Sequence, residues 1–163
     1  MSTGTTLQER AVDLLKEKGL SLTLCESCTG GLLASMITEV PGASAVFPGS
    51  FVTYSSGQKH RMAGVSATIL RKKGAVSVKS ARAMARGAAM RTGADLALSV
   101  TGNAGPEPSE EKPVGLVYIG FYRAGRHTEK EFMLEGDRSS IRHRACEEAL
   151  LLLIEELEKI QGQ

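Results

Sequence analysis

The feature that most constrains the fold is a strand-to-helix junction near the start of the chain. The apolar run Leu20-Ser21-Leu22-Thr23-Leu24 has the character of a strand. After Cys25-Glu26-Ser27-Cys28-Thr29-Gly30-Gly31 the pattern changes to a helical period on Leu32, Leu33, Met36, Ile37 and Val40. A chain that switches in this way buries its strand beneath its helix, the elementary unit of α/β folds. The junction also places the Ser27 hydroxyl where a helix begins, and backbone N–H groups there lack intrahelical partners. A nucleophile beside such donors has the parts that acyl transfer requires.

The remaining pattern extends this unit. Leu7, Ala11, Leu14 and Leu15 mark a first helix stopped at Gly19. The helix after the junction is expected from about Thr29 to Glu39, broken by Pro41-Gly42. Ser50 to Tyr54 reads as a second strand, followed by a short helical piece carrying Lys59. Ser66 and Ser77 are placed to cap two further helices ending near Gly74 and Gly93. Leu96 to Val100 is a continuous apolar run, as a buried central strand requires. Val114–Tyr122 and His127–Leu134 form a hairpin around Arg123-Ala124-Gly125-Arg126, and a last helix runs from Asp137 or Ser139 to about Ile160. The expected architecture is a three-layer α/β/α sandwich around a mixed, mostly parallel sheet of about five strands, with residues 1–163 as a single domain.

Four groups of residues could carry chemistry. Ser27 is the candidate nucleophile: an isolated Ser27 or Thr29 would be read only as a cap of the next helix, but Glu26, the two glycines and the strand-to-helix placement favour the functional reading. None of His60, His127 and His143 has an evident acidic partner in the sequence, so Lys59 is the better candidate base. It can act only if burial lowers its pKa; by spacing alone an exposed surface lysine is the plainer reading. Arg138 and Arg142 lie four apart near a helix N-terminus and can converge on one anion such as a phosphate, or simply pair with Glu side chains. Thr101-Gly102-Asn103-Ala104-Gly105-Pro106 follows the central strand, where open α/β sheets bind ligands, and Lys112-Pro113-Val114-Gly115 can fold back over that place. Cys25 and Cys28 also form a Cys-x-x-Cys pair, but the helix starts later than in a redox dithiol motif.

Composition excludes little beyond these readings. A formal net charge of +2 gives no argument for nucleic acid or a membrane surface. No apolar run has the length of a membrane span, and Met1 to Thr6 lacks the pattern of a secretory leader. Three cysteines do not make a disulfide framework, so a reducing cytoplasm is the expected compartment.

Taken in order, the motifs Glu26-Ser27-Cys28-Thr29-Gly30-Gly31, Phe51-Val52-Thr53-Tyr54-Ser55 with Lys59, Gly74-Ala75-Val76-Ser77, Thr101-Gly102-x-Ala104-Gly105-Pro106, Glu111-Lys112-Pro113-Val114-Gly115 and Gly136-Asp137-Arg138 give the chain a marked likeness. From about Leu7 to Leu157 it resembles the CinA carboxy-terminal domain family, whose stand-alone members are the PncC-type nicotinamide-nucleotide amidases. The resemblance implies deamidation of nicotinamide mononucleotide by a Ser/Lys acyl-enzyme route. Ser27 would attack the carboxamide, Lys59 would take its proton, and Tyr54 would hold or relay it. Amides around Thr29, Gly30 and Gly31 would hold the oxyanion. Arg138, with Arg142, would bind the phosphate, and Thr101, Gly102 and Asn103 would line the pocket. The resemblance calls for no metal or other cofactor and favours a homodimer in the cytoplasm. It implies a small-molecule nucleotide as the partner, with no nucleic acid and no membrane. The pyrophosphatase activity of the extra amino-terminal domain in longer members is not carried over.

Two departures from the family pattern stand out. Asn103 replaces an apolar residue and Glu107-Pro108-Ser109 replaces glycines, which makes the loop stiffer and more acidic. Ser55-Ser56-Gly57-Gln58 precedes Lys59 where relatives have Ser-Asn-Glu-Ala. Two other functions fit the same residues: a non-catalytic nucleotide-binding module, and a redox protein using Cys25 and Cys28.

Overall fold

The computed structural model describes residues 4–161; the part of the amino-terminal reading that concerns Met1 to Thr3 lies outside them. Five strands form one sheet: β1 (Leu22–Glu26), β2 (Phe51–Val52), β3 (Leu96–Gly102), β4 (Leu116–Arg123) and β5 (Arg126–Met133), in the order β2-β1-β3-β4-β5. β1 lies parallel to both β2 and β3, whereas β3–β4 and β4–β5 are antiparallel. The sheet is mixed, as expected, but not mostly parallel: two of its four strand pairings are antiparallel, and parallel pairing is confined to the half that carries the junction. The hairpin supplies the other half, because two strands joined by a two-residue turn can only pair antiparallel.

Among the described residues six α-helices cover the sheet. α1 (Leu7–Lys18), α2 (Leu32–Thr38) and α6 (Arg138–Glu158) lie on one face; α3 (Ser56–Ala63), α4 (Ala67–Lys72) and α5 (Val78–Thr92) belong to the other. Strand alternation sorts the core between these layers. Leu22, Leu24, Leu96, Leu98 and Val100 pack with Ala145, Leu150 and Leu153 of α6. On the opposite side Cys25 meets Met84 and Ala88 of α5, and Ala97 meets Ala85 and Ala89. The small residues on α5 let that helix come close. A Cβ added at Gly87 would lie 1.6 Å from the Ala63 carbonyl oxygen, so α5 touches the end of α3 backbone to backbone.

The expected caps are in place. Ser66, Ser77 and Asp137 each accept a hydrogen bond from the first turn of the following helix, and Gly19 and Gly93 close α1 and α5 in the left-handed conformation. Two elements differ from expectation. β2 contains only Phe51 and Val52, because Ser55 already caps α3 and draws the chain away from the sheet. α2 starts at Leu32 rather than Thr29, since Gly30 (φ 60°) and Gly31 (φ 102°) adopt left-handed conformations that a helix cannot contain. No helix among the described residues is long and apolar enough to cross a membrane.

Candidate active site

The carboxyl ends of β1 and β3 open onto a cleft of about 380 Å³. Ser27 and Cys28 form its floor with Lys59, and residues 101–107 supply one wall. Ser27 is fixed at three atoms. Its amide donates to Val100 O (2.9 Å), its carbonyl accepts from the Gly30 amide (2.9 Å), and its Oγ is 2.8 Å from Lys59 Nζ.

Lys59 reaches the serine from the other helical layer. It sits on α3, whose start is set by the Ser55 cap (Gln58 N to Oγ, 3.2 Å), and only 2% of it is exposed. Besides Ser27, its Nζ donates to the carbonyls of Thr53 (2.8 Å) and Tyr54 (3.3 Å). No carboxylate pairs with it among the described residues. Burial therefore pushes the amine below its ordinary value of 10.5, with weaker opposition from Cys25, Cys28 and Glu110. The plainer sequence reading, an exposed lysine, does not hold.

Several residues singled out in the sequence stand elsewhere than expected. The Tyr54 side chain is exposed, and its phenol accepts from Arg138 Nη2 (2.8 Å) rather than meeting Ser27 or Lys59. Arg138 also donates to Gly105 O (2.6 Å) and lines the cleft. Arg142 does not converge with it. Its Nε and Nη2 donate to the carbonyls of Cys28 (3.1 Å) and Thr29 (2.9 Å), behind the serine turn, and it does not line the cleft. Thr29, Gly30 and Gly31 do not line it either, and the Thr29 hydroxyl is buried without a partner. The amino-terminal amides of α2 are also occupied. Leu33 N (2.9 Å) and Ala34 N (3.0 Å) donate to the fully buried carboxylate of Glu26.

Cys28 and Ala104 line the cleft, and their amides donate to no other residue among the described residues. The backbone N–H that follows a nucleophile is a recurrent oxyanion donor. Thr101 and Asn103 line the cleft as expected, yet their side chains are occupied in holding its wall. Thr101 Oγ1 donates to Ala75 O (2.8 Å); Asn103 donates to Lys112 O (3.2 Å) and accepts from Gly105 N (3.1 Å).

Glu110 was not anticipated. Its carboxylate accepts from the amides of Ala75 (2.9 Å) and Val76 (3.1 Å), while Lys112 Nζ donates to the carbonyls of Lys73 (2.8 Å) and Val76. Glu110 and Lys112 thus fasten the long loop across residues 73–76. Partial burial opposes ionisation of Glu110, but these two amides and Lys112 outweigh it, so its carboxyl titrates below the ordinary range. The motifs Gly74-Ala75-Val76-Ser77 and Glu111-Lys112-Pro113 flank this clasp and were its only trace in the sequence.

The three histidines are used locally. His60 bonds Val65 O (2.8 Å), His143 bonds Ser139 O (2.8 Å), and His127 packs on Tyr122. Cys25, Cys28 and Cys146 are buried free thiols, and burial raises Cys25 and Cys28 to about 11. That shift is opposite to what a reactive dithiol needs. Among the described residues no cluster of His, Cys, Asp and Glu has the makings of a metal site.

A profile of the CinA C-terminal domain matches residues 4–157. The chain belongs to the CinA C-terminal domain family. It is 50% identical over 139 residues to a CinA-like protein of Dictyoglomus thermophilum, covering 85% of this chain and 34% of the relative. It is 48% identical over 149 residues to a putative competence-damage inducible protein of Caldicellulosiruptor saccharolyticus, covering 91% and 36%. The chain therefore spans about a third of the length of these curated relatives. Among solved CinA-family structures, competence/damage inducible protein CihA of Agrobacterium tumefaciens superposes with a TM-score of 0.89 at 39% identity, covering 98% of this chain and 100% of that one. The competence damage-inducible protein A of Klebsiella pneumoniae gives a TM-score of 0.93 at 33% identity, covering 95% and 97%.

Proposed function

We propose that this chain hydrolyses the carboxamide of a nicotinamide nucleotide, converting nicotinamide mononucleotide to nicotinic acid mononucleotide and ammonia through an ester on Ser27. The observation that carries this reading is the 2.8 Å contact between Ser27 Oγ and a buried, carboxylate-free Lys59 amine at the floor of a cleft. An uncharged amine has two N–H groups and one lone pair. The two N–H groups match the Thr53 and Tyr54 carbonyls, which leaves the lone pair for the serine proton.

As that proton moves to Lys59, Ser27 Oγ adds to the carboxamide carbon, and the amides of Cys28 and Ala104 receive the oxyanion. The Lys59 ammonium then protonates the departing nitrogen, and ammonia leaves. Water, deprotonated by Lys59, attacks the ester; the acid is released and the serine proton is restored. Arg138 stands at the cleft with N–H groups to spare for a phosphate, and Tyr54 serves to orient it rather than to relay a proton.

The test is ammonia release from nicotinamide mononucleotide by wild type, Ser27→Ala and Lys59→Met. Wild-type release lost in both folded variants is the expected result. Active Ser27→Ala protein would refute the nucleophile. Nucleotide binding by the wild type without ammonia release would leave a non-catalytic nucleotide-binding module.

A further inference from the structure

We infer that Arg142 is a positioning residue for the nucleophile turn, acting on the rate of attack rather than on anion binding. The inference rests on the reading of Ser27 as nucleophile. A guanidinium presents Nε and one terminal nitrogen along a single edge as a rigid pair of parallel donors. Here that edge meets two consecutive carbonyls, Cys28 O at 3.1 Å and Thr29 O at 2.9 Å.

Peptide planarity carries this constraint to the serine. In a trans peptide unit the C=O and N–H point in opposite directions and turn together. The unit between Thr29 and Gly30 is held at both ends: its carbonyl by Arg142, and its Gly30 N–H by Ser27 O at 2.9 Å. The Ser27 carbonyl in turn shares a rigid unit with the N–H of Cys28, a residue that lines the cleft. Two linked planes therefore connect the α6 guanidinium to both the carbonyl side of the nucleophile and the candidate oxyanion donor. The turn needs such a clamp because Gly30 and Gly31, both left-handed, give it no side chain of its own to hold it. The guanidinium packs on this turn as well: a Cβ at residue 30 would lie 3.5 Å from Arg142 Nη2, an ordinary contact distance. Glu26 fixes the far side of the same turn through Leu33 and Ala34, so one buried anion and one cation brace it at opposite ends. A lysine at 142 offers three donors from a single point and no planar fork, so it holds the two carbonyls with less directional constraint.

The experiment compares wild type, Arg142→Met, Arg142→Lys and Arg138→Met by two readouts. One is the rate at which a fluorophosphonate probe labels Ser27, located by peptide mass; the other is kcat and KM for nicotinamide mononucleotide. Arg142→Met is expected to slow labelling and lower kcat by about 10- to 100-fold, the scale set by small misplacements of reacting groups. Its KM stays within about two-fold of wild type, and Arg142→Lys recovers only part of the loss. Arg138→Met is expected to raise KM and leave labelling unchanged. Wild-type labelling in Arg142→Met, or a raised KM at unchanged kcat, would overturn the assignment. If Arg142→Met does not fold, Arg142→Lys carries the same comparison. Wild-type protein that labels at Ser27 but releases no ammonia would remove the nucleotide reading and leave the labelling test intact. Wild-type protein that does not label would remove both.

Discussion

Replacing Glu26 with alanine should destabilise the protein through two amides on a neighbouring helix. α2 has only seven residues, and Gly31 at its start contributes no side-chain cap. The Glu26 carboxylate does that work from the end of β1, accepting from Leu33 N at 2.9 Å and Ala34 N at 3.0 Å. Glu26 is fully buried, so water does not readily replace it. A buried donor left without a partner costs about 1–3 kcal/mol, so the buried Leu33 amide and the half-buried Ala34 amide together cost at most about 2–6 kcal/mol. Relief of a buried charge acts in the opposite direction and favours the lower part of that range, about 2–4 kcal/mol. In a chain of this length each kcal/mol lowers Tm by about 2–4 °C, so Glu26→Ala should melt about 4–16 °C below wild type. Calorimetry measures the loss, and amide hydrogen exchange locates it at Leu33 and Ala34. A Tm within about 2 °C of wild type, or exchange at those two amides unchanged, would refute the argument.

Other consequences follow from the same geometry. Ammonia release should rise with pH and level off at a midpoint below the ordinary lysine value of 10.5, because burial disfavours the charged Lys59 amine, and Lys59→Arg, which cannot lose its charge, should be inactive. Linkage gives the same residue a stability signature. With the folded pKa depressed, the unfolded chain binds more protons in the window between the two values, so wild type should gain stability relative to Lys59→Met as pH rises through that window, read by paired melts. Glu110→Ala frees the amides of Ala75 and Val76 and should raise KM while leaving Ser27 labelling unchanged; a lower labelling rate would mean that the clasp also positions the serine. Gly87→Ala places a Cβ against the Ala63 carbonyl at the end of α3 and should cost about 1–3 kcal/mol or more in denaturant unfolding. Because Lys59 lies on α3, its activity should fall further than its stability; full activity in Gly87→Ala would show that α3 shifts without moving the amine. Iodoacetamide at neutral pH should label Cys25 and Cys28 slowly, since both thiols are raised to about 11; rapid labelling would contradict their burial.

Local periodicity made the layers legible. The apolar runs Leu20–Leu24 and Leu96–Val100, the Ser66, Ser77 and Asp137 caps and the Ala124-Gly125 hairpin are all written in neighbouring residues. Ser27 was legible for the same reason, since its junction lies within one short segment. Lys59 was ambiguous because the side chain its amine meets, Ser27, lies 32 residues away in the chain. Arg138 and Arg142 misled in their shared direction: spacing four apart puts them on one helix face, but the Cys28 and Thr29 carbonyls, more than a hundred residues away, decide where Arg142 points. The helix start near Thr29 was misplaced because two left-handed glycines precede it, and so the oxyanion donors move from Thr29–Gly31 to Cys28 and Ala104 in the proposed mechanism. The Glu110 clasp left no periodic signal, since loop-to-loop hydrogen bonds follow no repeat.

The proposed chemistry depends on an amine at residue 59 that gives up its charge within reach of a serine oxygen. An NMR titration of the Lys59 side-chain nitrogen, assigned by comparison with Lys59→Met, measures this directly. A midpoint clearly below 10.5, moved by Ser27→Ala, is the predicted result. Titration at or above the ordinary lysine value, unaffected by residue 27, would contradict it.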